Sequence, residues 1–300
     1  MKVLEAGKRI ALKNILFATD FSPHSDVALP YALEIADRYG AKVYGAHVVT
    51  TEDYLFSAPD VWPSHPPEED QLRKEVLRRL EEQLRGVPHE ALFGAGEVWS
   101  VLSRMIGEQA IDLLVVGTHG RTGTRKAFMG SIAETIFRQA VCPVLSIGPK
   151  VPRELGRELR FERILFATNF GKESLAALPY ALSFTEEDQG ELDLLHVVEQ
   201  PAVGVIDAEE VKASLIRRLE QLVPPEAAAW CDVKCLVEFG HQFARPAERI
   251  LDVARARVAD LIVLGVRPVP RAVGTVTHFA NSTAQQVVAH AMCPVLTVRG

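Results

Sequence analysis

Much of what would narrow the class of this chain is missing from it. Four cysteines in 300 residues cannot supply the disulfide framework of a small secreted domain. Cys231 and Cys235 alternate with polar residues in WCDVKCLVEF, which puts them on one face of a strand. No second ligand pair accompanies them, so a metal or redox role has little support. No apolar run approaches the ~20 residues of a membrane span. The opening MKVLEAGKRIALKNILFATD carries scattered charges and does not read as a signal peptide. Together these absences imply a cytoplasmic protein with no membrane partner. A net charge of -6 argues against a general nucleic-acid binder, which is normally basic, although it leaves room for a local basic loop. There is no G-x-x-x-x-G-K-[ST] P-loop, no G-x-G-x-x-G after the first strand, and no Ser-His-Asp or metalloenzyme spacing.

What is present is a repeat. Asn14-ILFATDFSPHSDVALPYALEIA returns as Arg163-ILFATNFGKESLAALPYALSFT. His47-Val-Val returns as His196-Val-Val, IDLLVVG (111–117) as ADLIVLG (259–265), and AVCPVLSIG (140–148) as AMCPVLTVRG (291–300). Blocks in the same order at nearly constant separation mark a duplicated domain of ordinary size. The expected organisation is a first domain over 1–149, a charged linker with prolines at its edge over 150–160, and a second domain over 161–300.

Within each copy apolar runs alternate with helical periodicity. In the first copy the pattern predicts strands at Ile15–Thr19, Lys42–Val49, His89–Phe93, Leu113–Val116 and Val144–Ile147. It predicts helices at Ser25–Tyr39, Glu68–Leu84, Val98–Gln109 and Ser131–Ala140, the first capped by Ser22 or Ser25 and stopped by Gly40. Strand–helix alternation implies an α/β class: in each domain a mostly parallel five-stranded sheet with helices on both faces. A flavodoxin-like winding would bring the first and fourth strands together at a ligand-binding switch point. The proline-rich segment 50–67 reads as a surface loop or lid.

Asp20 then stands at the tip of the first strand and Gly117 at the tip of the fourth. After Gly117 comes THGRTGTRKAFMGS, with glycines at 120, 123 and 130, basic residues at 121, 125 and 126, and Ser131 opening a helix. Glycine lets backbone N–H groups approach an anion, a helix N-terminus favours negative charge, and arginine or lysine adds attraction. Asp20 is suited to accept from a ribose hydroxyl or to meet phosphate through a metal. The set points to a nucleotide; the plainer alternative is a flexible glycine-rich surface loop.

ILFATDFS, the spacing Gly117-x2-Gly120-x9-Gly130-Ser131, and CPVL after the last helix resemble the universal stress protein family, in its ATP-binding branch. The resemblance covers both copies. It implies tandem Rossmann-like or flavodoxin-like domains of the adenine nucleotide alpha-hydrolase-like type. It also implies binding of ATP or a related adenine nucleotide, often with a divalent ion such as Mg2+ or Mn2+, and a role in stress or dormancy. Carried over by position, Thr19 and Asp20 would lie near the ribose, with Asp20 a candidate metal ligand through the nucleotide. Val48 would meet adenine through its backbone, beside Val116. Gly117, Gly120, Gly130 and Ser131 would cradle the phosphates, with Arg121 and Ile132 in the same loop and helix start. The fifth strand in such proteins pairs across a dimer, so Val144–Ile147 and Val295–Val298 could hold an internal pseudo-dimer, beside a homodimer and a protein partner of unspecified kind.

The second copy keeps the frame and loses the cradle. Gly117 persists as Gly265 and Ser131 as Ser282, but Gly120 becomes Pro268, Gly130 becomes Asn281 and Asp20 becomes Asn169. Proline removes an N–H, asparagine adds a side chain, and the charge is gone. The first copy is therefore expected to bind ATP and the second to serve as a packing or regulatory copy, unless it uses Arg267, Arg271 and His278 in another geometry. His119 and His24 are the candidates for proton transfer or phosphate contact, while the recurrence of His47 as His196 marks a structural role. No residue is assigned as catalytic. A slow ATPase or phosphotransferase and a non-nucleotide interaction scaffold remain the competing readings.

Overall fold

The central strand explains the architecture. Ile15, Leu16 and Phe17 are fully buried, so this run of three must be covered on both faces. In the computed structural model, which describes residues 10–50, 69–119, 130–152, 159–199, 208–240, 245–267 and 282–300, it forms β1 (Asn14–Ala18). It is flanked in parallel by β2 (Lys42–Val49) and β4 (Leu113–Gly117), with Ile15 opposite both Val43 and Leu113. Adding β3 (His89–Ala95) and β5 (Val144–Ile147) gives the order β3-β2-β1-β4-β5, every pair parallel.

The expected contact of first and fourth strands is present. The winding differs from the flavodoxin expectation: it is the Rossmann order 3-2-1-4-5 without a sixth strand, with the order reversing between β1 and β4. The second copy repeats it as β8-β7-β6-β9-β10, with β6 (Arg163–Ala167), β7 (Glu191–Val198), β8 (Asp232–Phe239), β9 (Leu261–Val266) and β10 (Val295–Arg299). Chain contacts separate two compact units, Ala11–Pro149 and Lys150–Gly300, and Ile10 belongs with the latter, its N–H donating to Ser183 Oγ at 3.1 Å.

The helices of the first unit are α1 (Leu29–Tyr39), α2 (Glu69–Gln83), α3 (Val98–Glu108) and α4 (Ser131–Gln139). Strand alternation distributes them. Tyr44, Ala46 and Val48 of β2 join Val101, Leu102 and Met105 of α3 and Ile136 of α4 in one apolar cluster. Leu80 and Leu84, both fully buried, lie over the opposite face at Gly45. Burying such a leucine stabilises by about 1.5–3 kcal/mol.

Gly40 ends α1 as expected. It adopts φ 60°, and the N–H of Ala41 reaches back to Ala36 O at 2.8 Å. The start of α1 corrects the sequence reading. Neither Ser22 nor Ser25 caps it; the helix begins at Leu29, after Ala28, with Pro30 in its first turn. The two serines instead build a separate turn that matters for the site.

The second unit holds α5 (Lys172–Asp188), α6 (Ala208–Glu220), α7 (Pro246–Ala256) and α8 (Thr283–His290). In both units an aspartate pins the start of the central strand. Asp112 accepts from Asn14 N at 3.0 Å, and Asp260 from Arg163 N at 2.9 Å.

Candidate functional site

The chain leaving β1 turns sharply. Phe21 sits at φ 59°, where a bulky residue is strained and needs support. The support is visible. Phe21 N donates to Thr19 Oγ1 at 2.9 Å and Ser22 N donates to Asp20 Oδ1 at 2.9 Å, an Asx turn. Thr19 and Ser25 hydroxyls meet at 2.9 Å, and Ser25 Oγ donates to Ser22 O at 2.9 Å. His47 Nδ1 contacts Thr19 O at 2.7 Å. A carbonyl only accepts, so this nitrogen carries the proton. The Phe21 ring lies 4.5 Å from the His47 ring and carries the Arg79 guanidinium 4.2 Å from its centroid.

The end of β4 meets this turn backbone to backbone. A Cβ on Gly117 would stand 2.8 Å from His24 O and 3.1 Å from Ser25 Cα. Gly117 is thus required by the packing of two loops, a reason distinct from contact with an anion. Gly130 is different. It has φ -59° and ψ 152°, open to any residue, and among the described residues a Cβ there would meet only Thr118 O, at an ordinary 3.5 Å. The described residues do not demand glycine at 130.

Gly130 N donates to Thr118 O at 2.9 Å, and α4 starts at the next residue. Among the described residues no side chain caps α4. By contrast, α3 is capped by Glu97, whose carboxylate accepts from Trp99 N at 3.0 Å and Ser100 N at 2.6 Å. The Ser100 side chain first, and then those backbone bonds, hold the Glu97 carboxyl below its ordinary range. An incoming anion therefore finds the first N–H groups of α4 without a competing carboxylate cap.

These elements enclose a cavity of roughly 500 Å³, a usual size for a small-ligand site. Thr19, Asp20, Val48, Val116, Gly117, Gly130, Ser131 and Ile132 all line it. Gly120 and Arg121 lie outside the described residues, as do Gly123, Arg125, Lys126 and residues 51–67. The sequence reading did not single out the apolar wall formed by Val98, Leu102 and Ile136. Its signal was the helical spacing, which looked only like core. Asp20 is the one carboxylate among the described lining residues. Among the described residues no group of three potential metal ligands occurs.

The family model for the universal stress protein family matches residues 11–147 and again 160–299. The chain belongs to the universal stress protein family. Single-domain relatives match about half of it. A universal stress protein of Thermus aquaticus is 34% identical over 143 residues, covering 45% of this chain and 98% of its own. One of Methanocaldococcus jannaschii is 28% identical over 148 residues, covering 45% of this chain and 81% of its own. The crystal structure of a universal stress protein from Archaeoglobus fulgidus aligns with 95% of this chain and 96% of its own, with a TM-score of 0.69 at 22% identity, a likeness of fold.

The second universal stress protein unit reproduces the turn and not the helix start. Phe170 sits at φ 60°, 4.7 Å from the His196 ring, with Arg218 4.0 Å from its centroid. Thr168 and Ser174 hydroxyls meet at 2.8 Å, and Gly171 N donates to Asn169 Oδ1 at 3.0 Å. The Asx turn therefore survives the loss of charge at this position. A Cβ on Gly265 would collide with the backbone of Glu173 and Ser174, the packing constraint seen at Gly117. At the helix, however, Ser282 is itself the cap, accepting from Gln285 N at 3.2 Å, and α8 starts one residue later than α4. Pro268, Arg271, His278 and Asn281 lie outside the described residues. All four cysteines are free, and burial pushes the thiols of Cys142, Cys231 and Cys235 up to about 11 and that of Cys293 to about 12, which disfavours the thiolate. Among the described residues no helix is long and apolar enough to cross a membrane.

Proposed function

We propose that the first unit binds an adenine nucleotide, ATP in the first instance, and that its nucleotide state controls a stress-response partner or the protein's own assembly. The observation that carries this reading is the pair of helix starts. Helix α4 opens onto the cavity with no side-chain cap among the described residues, whereas Ser282 spends its hydroxyl on α8.

In this reading the phosphates lie at Gly130, Ser131 and Ile132, where the helix dipole favours negative charge by about 0.3–1 kcal/mol or more in a partly buried setting. Gly120 and Arg121 would complete the cradle. The ribose lies by Thr19 and Asp20, and the base lies against the backbone of Val48 beside Val116. When bound, Mg2+ or Mn2+ would neutralise phosphate charge, with Asp20 as its protein ligand. The second unit, without charge at Asn169 and with its helix self-capped, acts as a packing or regulatory copy. No base or nucleophile is assigned, so the protein acts as a binding module.

The test is to denature the purified protein, separate the released small molecules and quantify adenine nucleotide per chain, followed by direct ATP titration. About one nucleotide per chain is expected. Two would show that the second unit also binds. No nucleotide and no heat on titration would remove the reading.

A further inference from the structure

His24, in the turn after β1, and His119, after β4, have their ring centroids 6.3 Å apart; His119 lines the cavity and His24 stands behind it. Neither belongs to the turn network shared by the two copies. His119 lines the cavity beside Gly130 and Ser131, and its Nδ1 lies 3.0 Å from Thr118 Oγ1. The spacing of the pair is fixed by backbone, since Gly117 lets the His24 carbonyl approach where a Cβ would stand 2.8 Å away.

The second copy is informative at these two positions. The matching collision of a Gly265 Cβ with Glu173 makes Glu173 the counterpart of His24, and Arg267 is two residues past Gly265 as His119 is two past Gly117. There the two positions carry one acidic and one basic residue, with no net charge between them. In the first copy they carry two imidazoles, each able to take up a proton. Burial, and then the neighbouring His24, hold the His119 imidazole below its ordinary value. The other titratable groups among the described lining residues are Asp20 from β1 and His47 from β2; α3 and α4 contribute none.

We propose that His24 and His119 form a proton-coupled anion clamp, so that binding of a polyphosphate at the α4 N-terminus takes up protons on the pair and tightens as pH falls. This rests on the nucleotide reading above and adds pH as a second input to that site. The sign follows from linkage: a bound anion favours the protonated form of an imidazole beside it, so the complex binds more protons than the free protein. One proton taken up through a shift of about one pKa unit corresponds to about a tenfold gain in affinity.

The experiment measures ATP affinity calorimetrically at about pH 8 and about pH 6 for the wild-type chain and for His24→Gln/His119→Gln. Protonation of ATP itself is common to both, so the difference isolates the pair. The wild-type affinity is expected to gain about tenfold more than that of the double variant over this range. Equal pH dependence in both would overturn the clamp and leave the nucleotide reading standing, whereas no ATP binding at either pH would remove both. If the variant fails to fold, the histidine resonances of the wild-type chain decide. An upward movement of the His119 titration on adding ATP supports the clamp, and an unmoved titration overturns it.

Discussion

Gly117 and Gly130 look alike in the sequence, and the structure predicts opposite consequences for changing them. Gly117→Ala places a methyl group 2.8 Å from the His24 carbonyl oxygen and 3.1 Å from Ser25 Cα. Both neighbours are backbone in a turn held by the Thr19, Ser22 and Ser25 hydrogen bonds, so neither can give way without breaking that network. Overpacking of this kind costs about 1–3 kcal/mol. For a domain of this size that corresponds to a Tm lowered by roughly 2–12 °C, at about 2–4 °C per kcal/mol. Among the described residues Gly130→Val meets no such obstacle. The backbone there has φ -59°, and the nearest described atom to a new Cβ is Thr118 O at 3.5 Å. Removing a glycine from the unfolded chain is itself worth a few tenths to about 1 kcal/mol in favour of folding. The added side chain stands instead in the cavity at the α4 start. Crowding a phosphate by the same 1–3 kcal/mol weakens ATP binding about five- to hundredfold. Thermal unfolding and ATP titration of both variants check the pair. An unchanged Tm for Gly117→Ala would refute the packing argument. Undiminished ATP affinity in Gly130→Val would refute the cradle.

Three further outcomes follow from the same geometry. Val258 is 62% exposed at φ 53°, a conformation that penalises a β-branched side chain, so Val258→Gly should raise the unfolding free energy by about 1 kcal/mol in urea titration. His47 is buried and bonded to Thr19 O, so His47→Leu should destabilise by about 1–3 kcal/mol while His47→Asn, which can still donate, recovers part of that in the same assay. Asp20→Asn should leave Tm nearly unchanged, because Asn169 already performs the Asx turn, but should weaken metal-dependent ATP binding; equal ATP affinity with and without Mg2+ in both proteins would exclude Asp20 as a metal partner.

The sheet was legible because apolar runs such as Leu113–Val116 are buried on both faces and bounded by glycine or polar residues. The stop at Gly40 was legible because a left-handed residue after a helix favours glycine. The start of α1 was not. Ser22 and Ser25 have the chemistry of a cap, but their hydroxyls are committed to each other's backbone and to Thr19. A hydroxyl's partner depends on tertiary placement, which periodicity does not contain. All eight predicted site residues that are described line one cavity. The sequence does not separate the two reasons a glycine can have there: Gly117 answers to packing, whereas a role for Gly130 toward a ligand belongs to the proposal. The stacks of Arg79 on Phe21 and Arg218 on Phe170 left a trace in LRRLE and IRRLE, residues 77–81 and 216–220, but a repeat of charged residues on a helix reads first as a solvated face.

The two copies act as controls for each other. What both retain belongs to the fold: the left-handed phenylalanine under its arginine, the histidine on the threonine carbonyl, the Asx turn, and the glycine where two loops touch. The wall of the cavity is another matter. Val48 persists as Val197 and His47 as His196, but Asp20, Ala46, Val116, Thr118 and Ile132 are replaced by Asn169, Leu195, Leu264, Val266 and Thr283. The wall has changed in apolar shape as well as in charge, whereas the turn beneath it has not. The two copies therefore share a scaffold, and the second is not expected to take the ligand of the first.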